Sequence, residues 1–248
     1  MELTRNLQRL DLCQSSSSGV EHVVWPAGLE RLKLSGRFNE PVDHVAWPTA
    51  LQQLALGNHY DRPIAGVRWP VNLKRLTFGD AFNQPMSGFV SPVGLELLKF
   101  GESYNQPLDC AVLPTSLKHL ELGDRFNKRI NHVVWPSNLQ TLVFGYYFNQ
   151  PVDGIVWPLG LRQLYFGVSF DQPLAAVKFP GCLERLILKS LSQPIHGVAW
   201  PASLKELSVG QLFNQPLDEV VWPASLENLS LGDSFNQPIA GVTWPNSL

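Results

Sequence analysis

The chain has 248 residues, 44% of them hydrophobic, and a formal net charge of −2. A length of that order suits one or two domains, and so small a net charge sets up no field that would draw in nucleic acid or an anionic membrane surface. Apolar runs are only a few residues long, far short of the roughly 20 residues a membrane-crossing helix needs.

The first extended segment is marked by Leu7, Leu10 and Leu12, in the same spacing as Leu29, Leu32 and Leu34. Met1–Asn6 has no apolar stretch behind it, so no secretory signal is expected. Between the two leucine triplets lies the polar run Ser15–Gly19. Residues 1–25 are therefore expected to form a divergent first repeat, the polar run serving as a partial cap.

From there a fixed period takes over. Prolines fall at 26, 48, 70, 92, 114, 136, 158, 180, 201, 223 and 245, spaced by 22 residues except for one step of 21 between Pro180 and Pro201. A constant period of this length marks a solenoid, and its continuity leads us to expect a single repeat domain over residues 1–248. Residues 26–244 read as regular repeats, and 245–248 as the start of a truncated one. An unpaired strand edge there would invite self-association.

Leu139 to Pro158 serves as the type repeat. Leu142 and Phe144 are two apart and share one side of an extended segment, and an exit glycine follows at Gly145. Its equivalents include Gly57, Gly79, Gly101, Gly123, Gly167, Gly210 and Gly232, which points to a positive φ or a close backbone approach. Next comes an aromatic slot (Phe38, Tyr60, Phe82, Tyr104, Phe126, Phe148, Phe170, Phe213, Phe235), expected as a buried spine. The Asn or Asp after it is placed to satisfy backbone groups in a turn or to bond to the next coil.

The second half alternates Ile155-x-Trp157, so that both point inward while Val156 faces out. These segments could form a second extended layer, even a second parallel sheet. All eight tryptophans lie in the Trp157 slot, where Ser91, Leu113 and Phe179 are the replacements. A buried row with the indole N–H bonded to a loop carbonyl is expected. The coil from Pro180 to Trp200 lacks the glycine and the aromatic, which predicts local tightening and the weakest internal interface.

Phe82-Asn-Gln-Pro85, Phe235-Asn-Gln-Pro238 and Pro114-Thr-Ser-Leu-Lys-His-Leu-Glu-Leu-Gly123 resemble the FNIP repeat, a short leucine-rich-repeat variant. The tryptophan before proline departs from the plainer apolar residue of that pattern. The resemblance covers nearly the whole chain and implies an interaction module. Together with the period it predicts a β-rich, leucine-rich-repeat-like, right-handed solenoid. That solenoid would have about ten 22-residue coils, one continuous parallel sheet, and few or no helices.

No phosphate-binding glycine loop, HExxH, G-x-S-x-G or C-x-x-C pattern is present. No catalytic, cofactor-binding or metal-ligating residue is therefore assigned, and the expected cofactor is none. Cys13, Cys110 and Cys182 are odd in number and scattered, against a disulfide framework or a zinc site and in keeping with an intracellular, cytoplasmic setting. His22, His44 and His132 share a loop slot without a third ligand row.

The informative variation lies on the outward strand positions. Val143, Tyr165 and Ile187 occupy one outward slot in three successive coils, with Gln163 and Arg185 beside them. They form a candidate protein-binding patch. Ordinary cross-strand pairing of β-branched and aromatic residues would place them there equally well. The expected function is a non-enzymatic protein–protein interaction scaffold with an unidentified protein partner and no membrane or nucleic-acid partner. The alternative is a solenoid that stacks carbohydrate or nucleic acid on aromatics.

Overall fold

The computed structural model describes residues 7–12 and 20–248. The polar segment Ser15–Gly19, Cys13 and the leading residues Met1–Asn6 lie outside the described residues. The chain forms two compact units, Met1–Gly123 and Asp124–Leu248. Each is a parallel β-solenoid, and the described residues contain no helix.

The first unit carries strands β1 (Arg9–Asp11), β2 (Arg31–Lys33), β3 (Gln53–Ala55), β4 (Arg75–Thr77), β5 (Leu97–Lys99) and β6 (His119–Glu121). The second carries β7 (Thr141–Val143), β8 (Gln163–Phe166), β9 (Arg185–Leu188), β10 (Glu206–Ser208) and β11 (Asn228–Ser230). Within each unit neighbouring coils pair in register, one leucine against the next: Leu32 with Leu54, Leu54 with Leu76, Leu142 with Leu164, Leu164 with Leu186. These central leucines point inward and are buried, while the residues on either side face out.

Each coil turns at three corners. In one, Val67 N–H donates to the Ile64 carbonyl (3.3 Å), Leu73 N–H to Pro70 (3.1 Å) and Phe82 N–H to Gly79 (3.2 Å). The last corner swings the aromatic inward under the strand. Phe82, Phe126, Phe148 and Phe170 are fully buried. Successive rings stack along the row: Phe126–Phe148 at 6.0 Å and Phe148–Phe170 at 6.2 Å, nearly parallel. The last strand residue, where aromatic, stacks on the same spine, Phe144 on Phe148 at 4.0 Å. Phe235, in the last described coil, is only half-buried.

The exit glycine is required by close approach. A Cβ at Gly101 would stand 2.2 Å from the Gly79 carbonyl oxygen, and one at Gly167 would stand 2.0 Å from that of Gly145. No side chain fits between backbones that near.

The Asn/Asp slot links coil to coil. Asn39 Oδ1 accepts the Asp61 amide, Asp61 Oδ1 the Asn83 amide and Asn83 Oδ1 the Asn105 amide, each at 2.9 Å. In the second unit Asn127 Oδ1 accepts the Asn149 amide and Asn149 Oδ1 the Asp171 amide, both at 3.0 Å. The glutamine that follows donates to the same oxygen from the next coil: Gln150 to Asn127 at 2.9 Å, Gln172 to Asn149 at 2.8 Å. The serine of the Pro-x-Ser-Leu word also bonds backward, Ser116 Oγ to the Leu95 carbonyl and Ser225 Oγ to the Leu204 carbonyl, both at 2.7 Å.

Two expectations need correction. The Val-x-Trp segments form no second sheet among the described residues. A turn takes the first amide, as Val67 N–H donates to the Ile64 carbonyl, and proline follows the tryptophan at once, which leaves each segment too short for a ladder. A contact such as Gly66 N–H to Gly88 O (3.0 Å) is the kind of lateral bond that remains.

The coil after Pro180 is one residue short, yet its hydrogen bonding does not thin out. Leu191 is fully buried, and Ser190 bridges Gly210 in antiparallel fashion. The Ser192 amide and hydroxyl both donate to the Asp171 carboxylate at 2.7 Å. Asp in place of Asn at 171 supplies the second acceptor oxygen that this pair requires.

Removing a spine ring from a central coil leaves a cavity that rigid neighbours cannot close. Phe148→Ala is expected to cost about 3–5 kcal/mol in chemical denaturation, and Phe235→Ala distinctly less. Equal losses would contradict the spine.

Candidate functional site

Strands β7, β8 and β9 place Val143, Tyr165 and Ile187 side by side as register partners on the outward face of the second unit. All three are half-buried, because each shields its neighbour. The next strand continues the row with Ser208, so the apolar run stops there. On the parallel outward row the same strands carry Thr141, Gln163 and Arg185.

The tyrosine is fixed in place. Its hydroxyl donates to Gln163 Oε1 (3.1 Å) and accepts from Arg185 Nη1 (3.3 Å). Arg185 is itself anchored, Nε to Glu206 Oε2 at 2.5 Å. Its guanidinium pKa is raised, first by the bond to Tyr165 and then by Glu206. Arg162 and Glu184 pair one position earlier on adjacent coils. All five predicted site residues thus fall on one face, and four side chains along it, Gln163, Tyr165, Arg185 and Glu206, form a connected chain. Glu206 was not foreseen. The single-residue deletion in the preceding coil brings it into register with Arg185, 21 residues earlier.

The tryptophan row is mostly withdrawn from solvent: Trp25, Trp47, Trp69 and Trp200 are half-buried and Trp244 is exposed. Seven of the eight indole nitrogens are buried, and Trp135, Trp157 and Trp222 are at most 9% exposed. The expected bonds from these N–H groups to loop carbonyls are not formed. Aromatic packing holds the rings where contacts are seen: Trp69 lies at right angles to Phe78 (6.2 Å), Trp200 stacks on Phe179 (6.1 Å) and Trp222 on Trp244 (5.9 Å). Val156 faces out, as its alternation predicts.

The loop histidines pair locally, His22 with Glu21 (3.5 Å), His44 with Asp43 (3.1 Å) and His132 with Asn131 (2.8 Å). Among the described residues no group of three or more His, Cys, Asp or Glu could hold a metal ion. Cys110 and Cys182 are unpaired thiols. No helix among the described residues is long and apolar enough to cross a membrane.

One feature of the first unit escaped the sequence reading. Its outward strand rows carry Arg9, Arg31 and Arg75, with Lys33 and Lys99 on the parallel row, around a groove of about 340 Å³. Its signal is in the sequence, where those outward slots repeat positive charge from coil to coil. Lys99 is held by Glu121 (2.7 Å), whose carboxyl is kept below its usual pKa, His119 contributing most and Lys99 next.

A parallel solenoid with inward leucines, stacked phenylalanines and outward variable strand positions is of the leucine-rich-repeat class. The FNIP Repeat family model matches residues 60–103, 91–125, 104–147, 126–169, 191–234 and 213–248. These matches cover well over half of the chain, which belongs to the FNIP-repeat family. No curated protein sequence matches it.

Among solved structures, the circular leucine-rich-repeat protein CroV588 is 26% identical over 90% of this chain and 49% of its own, with a TM-score of 0.38. A chain of the Drosophila Toll–Spatzle complex is 13% identical over 84% of this chain and 33% of its own, TM-score 0.58. An internalin of Listeria monocytogenes is 16% identical over 98% of this chain and 86% of its own, TM-score 0.55. The chain therefore spans about half the length of the first and a third of the second. The last two share the fold.

Seven buried indole nitrogens predict blue-shifted emission that acrylamide quenches weakly overall, with Trp244, 37% exposed, the most accessible of the eight. Uniform strong quenching of all eight indoles would show an open row instead.

Proposed function

We propose that the protein is a non-enzymatic interaction module that binds another protein through the outward strand face of its second unit, centred on Val143, Tyr165 and Ile187. The observation that carries this reading is the immobilised Tyr165. Its hydroxyl is held by Gln163 and Arg185, and Arg185 by Glu206. A tyrosine fixed before binding has little side-chain entropy left to lose, which is what an anchor at an interface needs. Val143 and Ile187 flank it with apolar surface, and Gln163 and Arg185 supply the polar rim that interface cores have around them. Membership of a repeat family supports a scaffold role. The alternative, stacking of sugars or bases, lacks the exposed aromatic row that it requires.

The test starts from a partner captured with the intact gene product and measures affinity by titration calorimetry. Tyr165→Ala is expected to weaken binding tenfold or more and Ile187→Glu at least as much, with thermal unfolding unchanged for both half-exposed positions. Unchanged affinity in both folded variants would move the interface to the loops that carry Asp43 and His44.

A further inference from the structure

The first unit presents a surface of a different character. Arg9 and Arg31 are direct register partners on adjacent strands, which sets their backbones about 5 Å apart. Like charges placed opposite one another across strands destabilise a sheet. Arg75 stands two strands beyond Arg31, on the far side of Gln53.

None of the three arginines has an ion pair among the described residues, and all are exposed. Lys33 has only a loose 4.0 Å contact with Asp11. Between Lys33 and Lys99 the outward slots hold the short side chains Ala55 and Thr77, while Gln53 stands between Arg31 and Arg75. That difference in length opens the groove of about 340 Å³ above β1–β5. Cationic walls around a floor of small residues leave room for a chain that brings its own negative charge.

We infer that this groove binds a short acidic peptide segment of a partner protein, laid across the strands in extended form, with its carboxylates received by Arg31, Arg75 and Arg9. The planar guanidinium fork matches a carboxylate in bidentate geometry. Arg31 and Arg75 lie two strand spacings apart, about 10 Å, close to the reach of three residues of extended chain at about 3.3 Å each. The groove therefore suits acidic side chains about three residues apart. Asp11 at one end and Glu121 at the other bound the basic stretch and limit the segment to a few residues.

A nucleic-acid strand fits less well. Neither outward row of β1–β6 contains Phe, Tyr or Trp, so the stacking platform on which single-stranded recognition relies is absent. The site is separate from the Tyr165 patch, and its test does not depend on that reading.

The test uses the full chain and fluorescence anisotropy at about 50 mM salt, where charge-driven binding is strongest. The probes are labelled hexaglutamate, hexaglutamine and hexauridylate. Hexaglutamate is expected to bind, hexaglutamine not to bind, and hexauridylate to bind at least tenfold more weakly than hexaglutamate. The pair Arg31→Gln and Arg75→Gln, exposed and hence expected to fold normally by thermal melt, should lower hexaglutamate affinity at least tenfold. Arg162→Gln on the second unit should leave it unchanged. The proposal is overturned if hexaglutamate does not bind, if the Arg162 variant loses as much as the double variant, or if hexauridylate binds as tightly.

Discussion

Within each unit, most coils are joined to the next by a side-chain oxygen that serves two donors. Asn149 Oδ1 takes the amide of Asp171 and the side-chain amide of Gln172 from the following coil, and the same pairing repeats along the Asn/Asp column. The backbone there forms no ladder, so without this oxygen one amide per coil would go unmet, and a buried amide without a partner is costly. The exit glycine permits the approach, since a side chain would collide with the carbonyl above it. Glycine, aromatic, Asn and Gln therefore act as one device that fixes the coil spacing and with it the strand register.

That device explains where variation is tolerated. The inward leucines, the ring spine, the glycine and the Asn–Gln pair each have a neighbour one coil away that constrains them. The two outward strand slots have no such duty. The units use those slots differently. In the first, arginines and lysines surround a groove floored by small residues. In the second, Tyr165 is pinned between Val143 and Ile187 by its polar neighbours. Substitutions in these slots change what the surface presents without disturbing the column that holds the coil.

The period, the strand leucines, the inward aromatic and the coil-linking Asn were all legible in the sequence, because each recurs at a fixed slot. What recurs with them but acts across coils was harder to see. The glutamine after Asn149 reads as a plain turn residue until the next coil is stacked on it. The second sheet was expected from the Ile155-x-Trp157 alternation, but alternation reports facing and does not supply free backbone donors. A buried indole N–H leads one to expect a carbonyl partner, whereas contacts such as Trp69 on Phe78 hold the rings by aromatic packing. Tyr165 was legible as apolar and outward. Its restraint through Arg185 and Glu206 was not, since that depends on diagonal contacts between strands.

The dependence of the coils on the Asn column is open to direct measurement by residue-resolved amide exchange of the folded chain. The Asp171 amide lies outside any strand, yet it should exchange slowly, because Asn149 Oδ1 accepts it at 3.0 Å. In Asn149→Ala that protection should vanish, while the amide at position 149, bonded to Asn127 Oδ1, keeps its own. An Asp171 amide that exchanges like an open loop in the parent chain, or one unaffected by the substitution, would contradict the account.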